Sequence, residues 1–114
     1  MTFYSLATSP ASPAILYAGT SNGVYTYQAG TWKSLDLAGK AVTALATDPI
    51  QPEKIFAGTT SGAYYTVDAG LSWKLVDQDL AGFTIQSINI DPIRNSWIYF
   101  STKTHGIYLA TISH

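Results

Sequence analysis

Apolar and small residues run in short stretches along this chain, and each stretch is closed by glycine or by Asp-Pro. Ala41-Val-Thr-Ala-Leu-Ala-Thr47 runs up to the breaker Asp48-Pro49 and predicts a strand. Lys54-Ile-Phe-Ala-Gly-Thr59 predicts a second, and the Thr60-Ser61-Gly62 corner supplies a residue that tolerates positive φ before a third, Ala63-Tyr-Tyr-Thr-Val67. Asp68-Ala-Gly70 then turns the chain into a fourth, Ser72-Trp-Lys-Leu-Val76. No segment combines apolar residues at helical spacing with caps, so the pattern predicts an all-β chain.

This pattern repeats. Leu6-Ala7-Thr8 recurs as Leu45-Ala46-Thr47, Ala18-Gly19-Thr20 as Ala57-Gly58-Thr59, and Gly23-Val-Tyr25 as Gly62-Ala-Tyr64, all at an offset of 39. Small insertions then shift the offset to 43, from Asp36-Leu-Ala-Gly39 to Asp79-Leu-Ala-Gly82 and from Asp48-Pro-Ile50 to Asp91-Pro-Ile93. A third copy carries Ile98-Tyr99-Phe100 and Gly106-Ile-Tyr108 and ends at His114. Four antiparallel strands per repeat of this length make a propeller blade. The expected domain is a single repeat array: blade 1 over 1–39, blade 2 over 40–82, and an incomplete blade 3 over 83–114.

Thr66-Val-Asp-Ala-Gly-Leu-Ser-Trp73 matches every specified position of Ser/Thr-x-Asp-x-Gly-x-Ser/Thr-Trp through Thr66, Asp68, Gly70, Ser72 and Trp73. The segment therefore resembles the Asp-box, or BNR repeat. Its surroundings look like the Asp-box propellers of sortilin-type receptors, photosynthetic assembly factors of the Ycf48 type and large xyloglucanases. The resemblance implies a turn on the propeller rim, remote from the ligand face, with a structural role for Asp68 and Trp73. An aspartate there accepts backbone N–H groups, glycine takes the left-handed position, and the tryptophan pins the hairpin to its blade. The first copy is degenerate: Thr26, Gly30 and Trp32 remain, Gln28 replaces the aspartate and one residue is missing, which predicts a looser turn. The third copy has no such box.

Sialidases and several glycosidases carry the same box, so the resemblance also raises an enzyme reading, for which glycoside hydrolysis needs two carboxylates. Of the seven acidic residues, Asp36 pairs with Asp79 and Asp48 with Asp91 by repeat position, and Asp68 belongs to the turn. Glu53 and Asp77 alone are left over, and Arg94 is the single arginine, against the arginine cluster of sialidases. There is no phosphate loop, His-Glu-x-x-His, nucleophile elbow or cysteine, and two histidines do not make a zinc site. The expectation is no catalysis, no cofactor and no metal.

Charge narrows the partners further. A net charge of −1 makes no case for nucleic acid or an anionic membrane, and no apolar run reaches the length of a membrane span. Charged residues are 11% of the chain, so surface polarity falls largely to 14 Thr and 11 Ser, read as solvated strand edges and turn bonds. Met-Thr-Phe-Tyr-Ser lacks the features of a signal peptide, which makes the cytoplasm the default compartment.

Two local departures are candidates for contact with a ligand or a neighbouring subunit. The corner Thr20-Ser-Asn-Gly23 or Thr59-Thr-Ser-Gly62 becomes Thr102-Lys-Thr-His-Gly106 in the third copy, which brings in Lys103 and His105. A longer solvated turn is the plain alternative. Trp97 stands where the other copies have polar or aliphatic residues and is either an interface anchor or packed over a neighbouring blade.

Blade counting bears on assembly. The three copies amount to about 2.75 blades, whereas closed propellers need 4 to 8. An open stack exposes the apolar flanks of its end blades. Two chains in head-to-tail contact would close a six-bladed homodimer, in which a missing outermost strand leaves the central ring intact. The other account is a piece of a longer propeller. The expected function is a non-catalytic scaffold or binding module that self-assembles, with a protein or glycan as possible ligand; the alternative is a carbohydrate-binding or glycosidase-related propeller.

Overall fold

The computed structural model describes residues 3–8, 15–28, 30–35, 40–48, 51, 53–76, 78, 82–91, 93, 97–104 and 106–111. Its strands are β1 (Phe3–Thr8), β2 (Leu16–Thr20), β3 (Gly23–Gln28), β4 (Thr31–Ser34), β5 (Val42–Thr47), β6 (Ile55–Thr59), β7 (Gly62–Thr66), β8 (Lys74–Leu75), β9 (Ile85–Ile90), β10 (Trp97–Thr102) and β11 (Ile107–Thr111). They form three antiparallel sheets in the orders β1-β2-β3-β4, β5-β6-β7-β8 and β11-β10-β9. Each sheet is one propeller blade, the last of them with three strands.

Register repeats with the sequence. Leu6 pairs with Ala18 and Leu45 with Ala57, while Ser101 pairs with Ile107 as Gly58 does with Ala63. A bulge recurs near the corner in each first-strand pairing, between Phe3 and Ser5, between Val42 and Ala44, and between Ser101 and Thr102. A bulge bends its strand and adds twist, so its recurrence gives the three blades a common shape.

The core lies between blades. Tyr17, Val24 and Leu35 of the first blade pack with Val42, Ile55 and Ala57 of the second. Ala44, Phe56 and Ala63 of the second pack with Ile85, Ile88, Ile98 and Phe100 of the third. Successive residues of a strand point to opposite faces, so the middle blade is covered on both sides and every residue of β6 is buried. This explains why its run lacks a polar alternation.

Backbone and hydroxyl bonds tie the blades at fixed points. The corner glycines donate across the gap, Gly23 N–H to the Lys40 carbonyl and Gly62 N–H to the Phe83 carbonyl, each 2.9 Å. The Thr47 hydroxyl donates to the Thr8 carbonyl at 3.1 Å, and the Thr43 hydroxyl to the Ile85 carbonyl. Glycine is required where blades approach most closely. A Cβ on Gly19 would meet Val42 Cγ1 at 2.8 Å, and one on Gly58 would meet Ile85 Cγ2 at 2.5 Å.

The first-copy hairpin differs from expectation. Gln28 pairs with Thr31 and Tyr27 with Trp32, and Gly30 takes φ 82°, so the two strands stay paired up to the shortened box, where a looser turn was expected. Tyr27, opposite Leu16, stands where Thr66 stands opposite Ile55, so Thr26 is not the counterpart of Thr66 and the connection to the tryptophan is two residues shorter; β4 pairs over four residues, whereas β8, after the full box, pairs over two. No helix among the described residues is long and apolar enough to cross a membrane.

Candidate functional site

Three constellations were candidates for function: the Thr66–Trp73 turn, the β10–β11 corner, and the open faces of the end blades.

In the turn, Thr66 and Asp68 form one closed network. The Thr66 hydroxyl donates to Asp68 Oδ1 and accepts from the N–H groups of Asp68, at 3.2 Å, and Gly70, at 3.1 Å. Asp68 Oδ1 also accepts from the Ser72 N–H at 3.0 Å, and Oδ2 accepts from the Ser72 hydroxyl at 2.7 Å. The Ser72 hydroxyl, with the Thr66 hydroxyl and Ser72 N–H, holds the Asp68 carboxyl down at about 2. Its oxygens are committed to the turn, so it is a poor proton donor or base near neutrality. Ala69 and Gly70 both take positive φ, 61° and 95°, and the Ala69 N–H bonds the Glu53 carbonyl at 2.9 Å.

Trp73 reaches across to the preceding blade. Its indole N–H donates to the Leu35 carbonyl at 2.6 Å, and the ring packs on the cluster between the first and second blades. A Cβ on Gly70 would sit 2.9 Å from Leu35 Cδ1. The turn therefore clamps the outer strands of two blades. An open groove of about 340 Å³ beside it is lined by Tyr17 and Leu35, with Lys33, Asp68 and Leu71 around them.

Each β-corner contains a threonine that local pattern reading assigns to solvated edges. Thr20 and Thr59 are fully buried and Thr102 nearly so. Their hydroxyls donate to the carbonyls of Gly23, Gly62 and Gly106 at 2.8–2.9 Å, and those of Thr20 and Thr59 accept from the N–H groups of Asn22 and Ser61. The Thr-x-x-Gly spacing shared by the first two corners, one residue longer in the third, was the available signal.

In the third corner Lys103 is exposed, and its N–H bonds the Thr84 carbonyl at 3.0 Å, as the Thr60 N–H bonds the Ala41 carbonyl. His105 lies outside the described residues. Trp97 is half-buried at the start of β10, its carbonyl accepting from the Asp91 N–H at 2.9 Å. Trp97 opens β10 and Lys103 follows its last residue, so they lie at opposite ends of the strand and do not form one site. At the position equivalent to Trp97 in the second blade, Lys54 is buried with its ammonium 5.7 Å from the Phe56 ring. Desolvation lowers its pKa and the Asp48 carboxylate partly opposes that. Among the described residues no group of three or more His, Asp or Glu is placed to hold a metal.

The end faces expose apolar residues whose counterparts in the second blade pack against a neighbouring blade. On the first blade Phe3, Leu6 and Trp32 are 46%, 62% and 41% exposed, although their counterparts in the second blade are Val42, Leu45 and Trp73, which pack against the first. Trp32 instead turns onto Phe3 and Tyr27, with ring centroids 5.4 and 4.8 Å away. On the third blade Ile107 and Leu109 are 75% and 43% exposed, where their counterparts Ala63 and Tyr65 pack against the next blade.

No family model matches the chain, and a search among curated proteins gave no match. Solved structures do match its fold. An ancestral GH74 enzyme superposes with a TM-score of 0.80 at 16% identity, over 95% of this chain and 17% of that one. The extracellular domain of BT4673 from B. thetaiotaomicron gives 0.78 at 20% identity, over 99% and 16%. Ycf48 bound to a D1 peptide gives 0.68 at 18% identity, over 96% and 37%. The chain thus spans a small part of each of these structures, and the likeness identifies it as a set of β-propeller blades.

Proposed function

We propose that this chain is a non-catalytic propeller module, an Asp-box repeat unit, that self-assembles head to tail into a closed ring serving as a scaffold or binding surface. A six-bladed homodimer is the preferred assembly. The observation that carries this reading is the matched pair of open faces. Phe3, Leu6 and Trp32 stand where the second blade offers its buried face to the first, and Ile107 and Leu109 stand where it offers its other face to the third. Gly106 holds the position from which Gly23 and Gly62 bond the following blade. In such a ring Ser101 would stand where Gly19 and Gly58 stand at the internal junctions, which calls for a wider approach, and the larger Phe3, in place of Val42 and Ile85, would fill it.

The reading without catalysis draws on three of the described carboxylates, Glu53 being the exposed exception. Asp68 is consumed by the turn, Asp48 is buried and accepts the Gln51 N–H, and Asp91 accepts the Ile93 N–H. A protein or peptide, the kind of ligand the matched Ycf48 structure holds, is one candidate ligand and a glycan is the other.

Solution mass by light scattering, against 12.3 kDa for one chain, tests the ring. A dimer is expected, weakened by Leu6→Asp or Ile107→Asp alone and partly restored by mixing the two variants, since the mixture regains one unmodified junction. A 12.3 kDa species at all concentrations, or an oligomer indifferent to both substitutions, would sink it.

A further inference from the structure

The groove beside the Thr66–Trp73 turn lies between the first and second blades, and two differences between those blades account for it. Tyr27 pairs with Trp32 across residues 28–31, whereas residues 67–72 separate Thr66 from Trp73, so the full box of the second blade stands beside a shorter hairpin. Ile15 also takes the place of Lys54, since Leu16 opposite Thr8 matches Ile55 opposite Thr47. In the second blade the Lys54 ammonium lies 5.7 Å from the ring of Phe56. Tyr17 is the counterpart of Phe56, and the shorter Ile15 does not reach over it in that way, which leaves Tyr17 lining an open groove of about 340 Å³.

The ring of Tyr17 packs in the core with Val24, Leu35 and Val42, and the residue is 6% exposed. Its hydroxyl makes no hydrogen bond with the described residues and is not sealed from solvent, so it opens into the groove. Burial holds this phenol above its usual pKa, which keeps it a neutral donor near pH 7. Lys33 is the cation among the lining residues, and its ammonium makes no ion pair with the described residues. Asp68, the other charge, has its oxygens turned to the Thr66 and Ser72 hydroxyls and the Ser72 N–H. Ile15, Leu35 and Leu71 give the groove apolar walls, with Leu71 79% exposed. Apolar walls with a few polar groups, enclosing about 300–1,000 Å³, are the usual form of a small-molecule site.

We propose that this groove binds a small monocarboxylate with an apolar body. The carboxylate accepts from the Tyr17 hydroxyl and pairs with the Lys33 ammonium, and the body lies against Ile15, Leu35 and Leu71. One cation and one hydroxyl donor match the single charge and two oxygens of a carboxylate. A phosphate dianion would bring a second negative charge beside Asp68 with no further cation to meet it. Every residue of the site belongs to the first two blades of one chain, so the proposal does not depend on ring closure.

The test is a titration of the isotope-labelled 114-residue chain with phenylacetate, read by amide shifts. Shifts concentrated on Tyr17, Leu35 and Leu71 are expected, with a dissociation constant of about 10 mM or tighter. Tyr17→Phe, which places here the residue type of its counterpart Phe56, should weaken binding about tenfold. Lys33→Gln should weaken it about threefold and leave the binding of neutral phenylacetamide unchanged. Phenylacetamide should bind the parent chain more weakly than phenylacetate does. No shift at tens of millimolar phenylacetate, shifts centred away from this groove, undiminished binding by Tyr17→Phe, or equal binding of the acid and its amide would each overturn the proposal.

Discussion

Gly58→Ala isolates the close approach of the second and third blades. The added Cβ would lie 2.5 Å from Ile85 Cγ2 and 2.6 Å from Ile85 Cβ. Carbon atoms pack at about 3.5–4.0 Å, so roughly 1 Å of separation is demanded. Rotating Ile85 relieves the Cγ2 contact but not the Cβ contact, because the Cβ position follows the backbone. The strands β6 and β9 must therefore move apart, with the cluster of Phe56, Ile85 and Phe100 between them. Overpacking of this kind costs about 1–3 kcal/mol, and the smaller entropy of the unfolded alanine chain returns about 0.4–1 kcal/mol. A net loss of roughly 1–2 kcal/mol follows, which corresponds to a fall in melting temperature of about 4–8 °C for a domain of this size. Urea unfolding followed by tryptophan fluorescence should show a lower midpoint at unchanged slope. Ser101→Ala, at the equivalent position of the third blade, is the control and should change stability by no more than about 0.5 kcal/mol. A Gly58→Ala variant as stable as the parent would refute the reasoning, since the blades would then not meet at that point.

Three further outcomes follow from the hydroxyl, carboxylate and turn geometry. Thr59→Val keeps the shape of a fully buried side chain but strands the Gly62 carbonyl and Ser61 N–H; a loss of about 1–2 kcal/mol is expected by urea unfolding, and no loss would mean that water replaces the hydroxyl. The folded pKa of Asp68 is depressed from 3.8 to about 2, so its contribution is complete above the unfolded value and disappears as pH falls toward the folded one. The stability gap between the parent and Asp68→Asn should accordingly be constant near neutrality and close as pH falls from about 4 to 2; a gap unchanged at the acid end would contradict this. Gly70→Ala combines positive φ with a contact 2.9 Å from Leu35, whereas Gly30→Ala meets nothing within 4 Å. Both should destabilise, Gly70→Ala by about 1 kcal/mol or more beyond Gly30→Ala, and equal losses would show that the clamp on Leu35 adds nothing.

The all-β class, the four-strand unit and its repetition were legible in the residues, because strand ends are set by local chemistry. Asp-Pro and the corner glycines interrupt each run wherever the chain lies, and the offset of 39 between Leu6-Ala7-Thr8 and Leu45-Ala46-Thr47 shows the unit recurring. The turn residues Thr66, Asp68, Gly70 and Ser72 were legible for the same reason, since they bond within a few positions of one another. Contacts between blades were not, because they join residues about forty positions apart. Nothing local distinguishes Gly58, held by Ile85, from a glycine in open space, or reveals that Trp73 bonds Leu35. The close pairing of the first hairpin also escaped, because the sequence motif aligns Thr26 with Thr66 whereas strand pairing puts Tyr27 at that position. Blade counting already implied open end flanks, but which residues form them, Phe3 and Leu6 on one and Ile107 and Leu109 on the other, was decided by the stack, since they are as apolar as their buried counterparts and differ in whether a neighbouring blade covers them. Sequence alone determined the unit and its repetition; tertiary structure decided which of its surfaces are joined and which are left open, because contacts between blades join residues far apart in the chain.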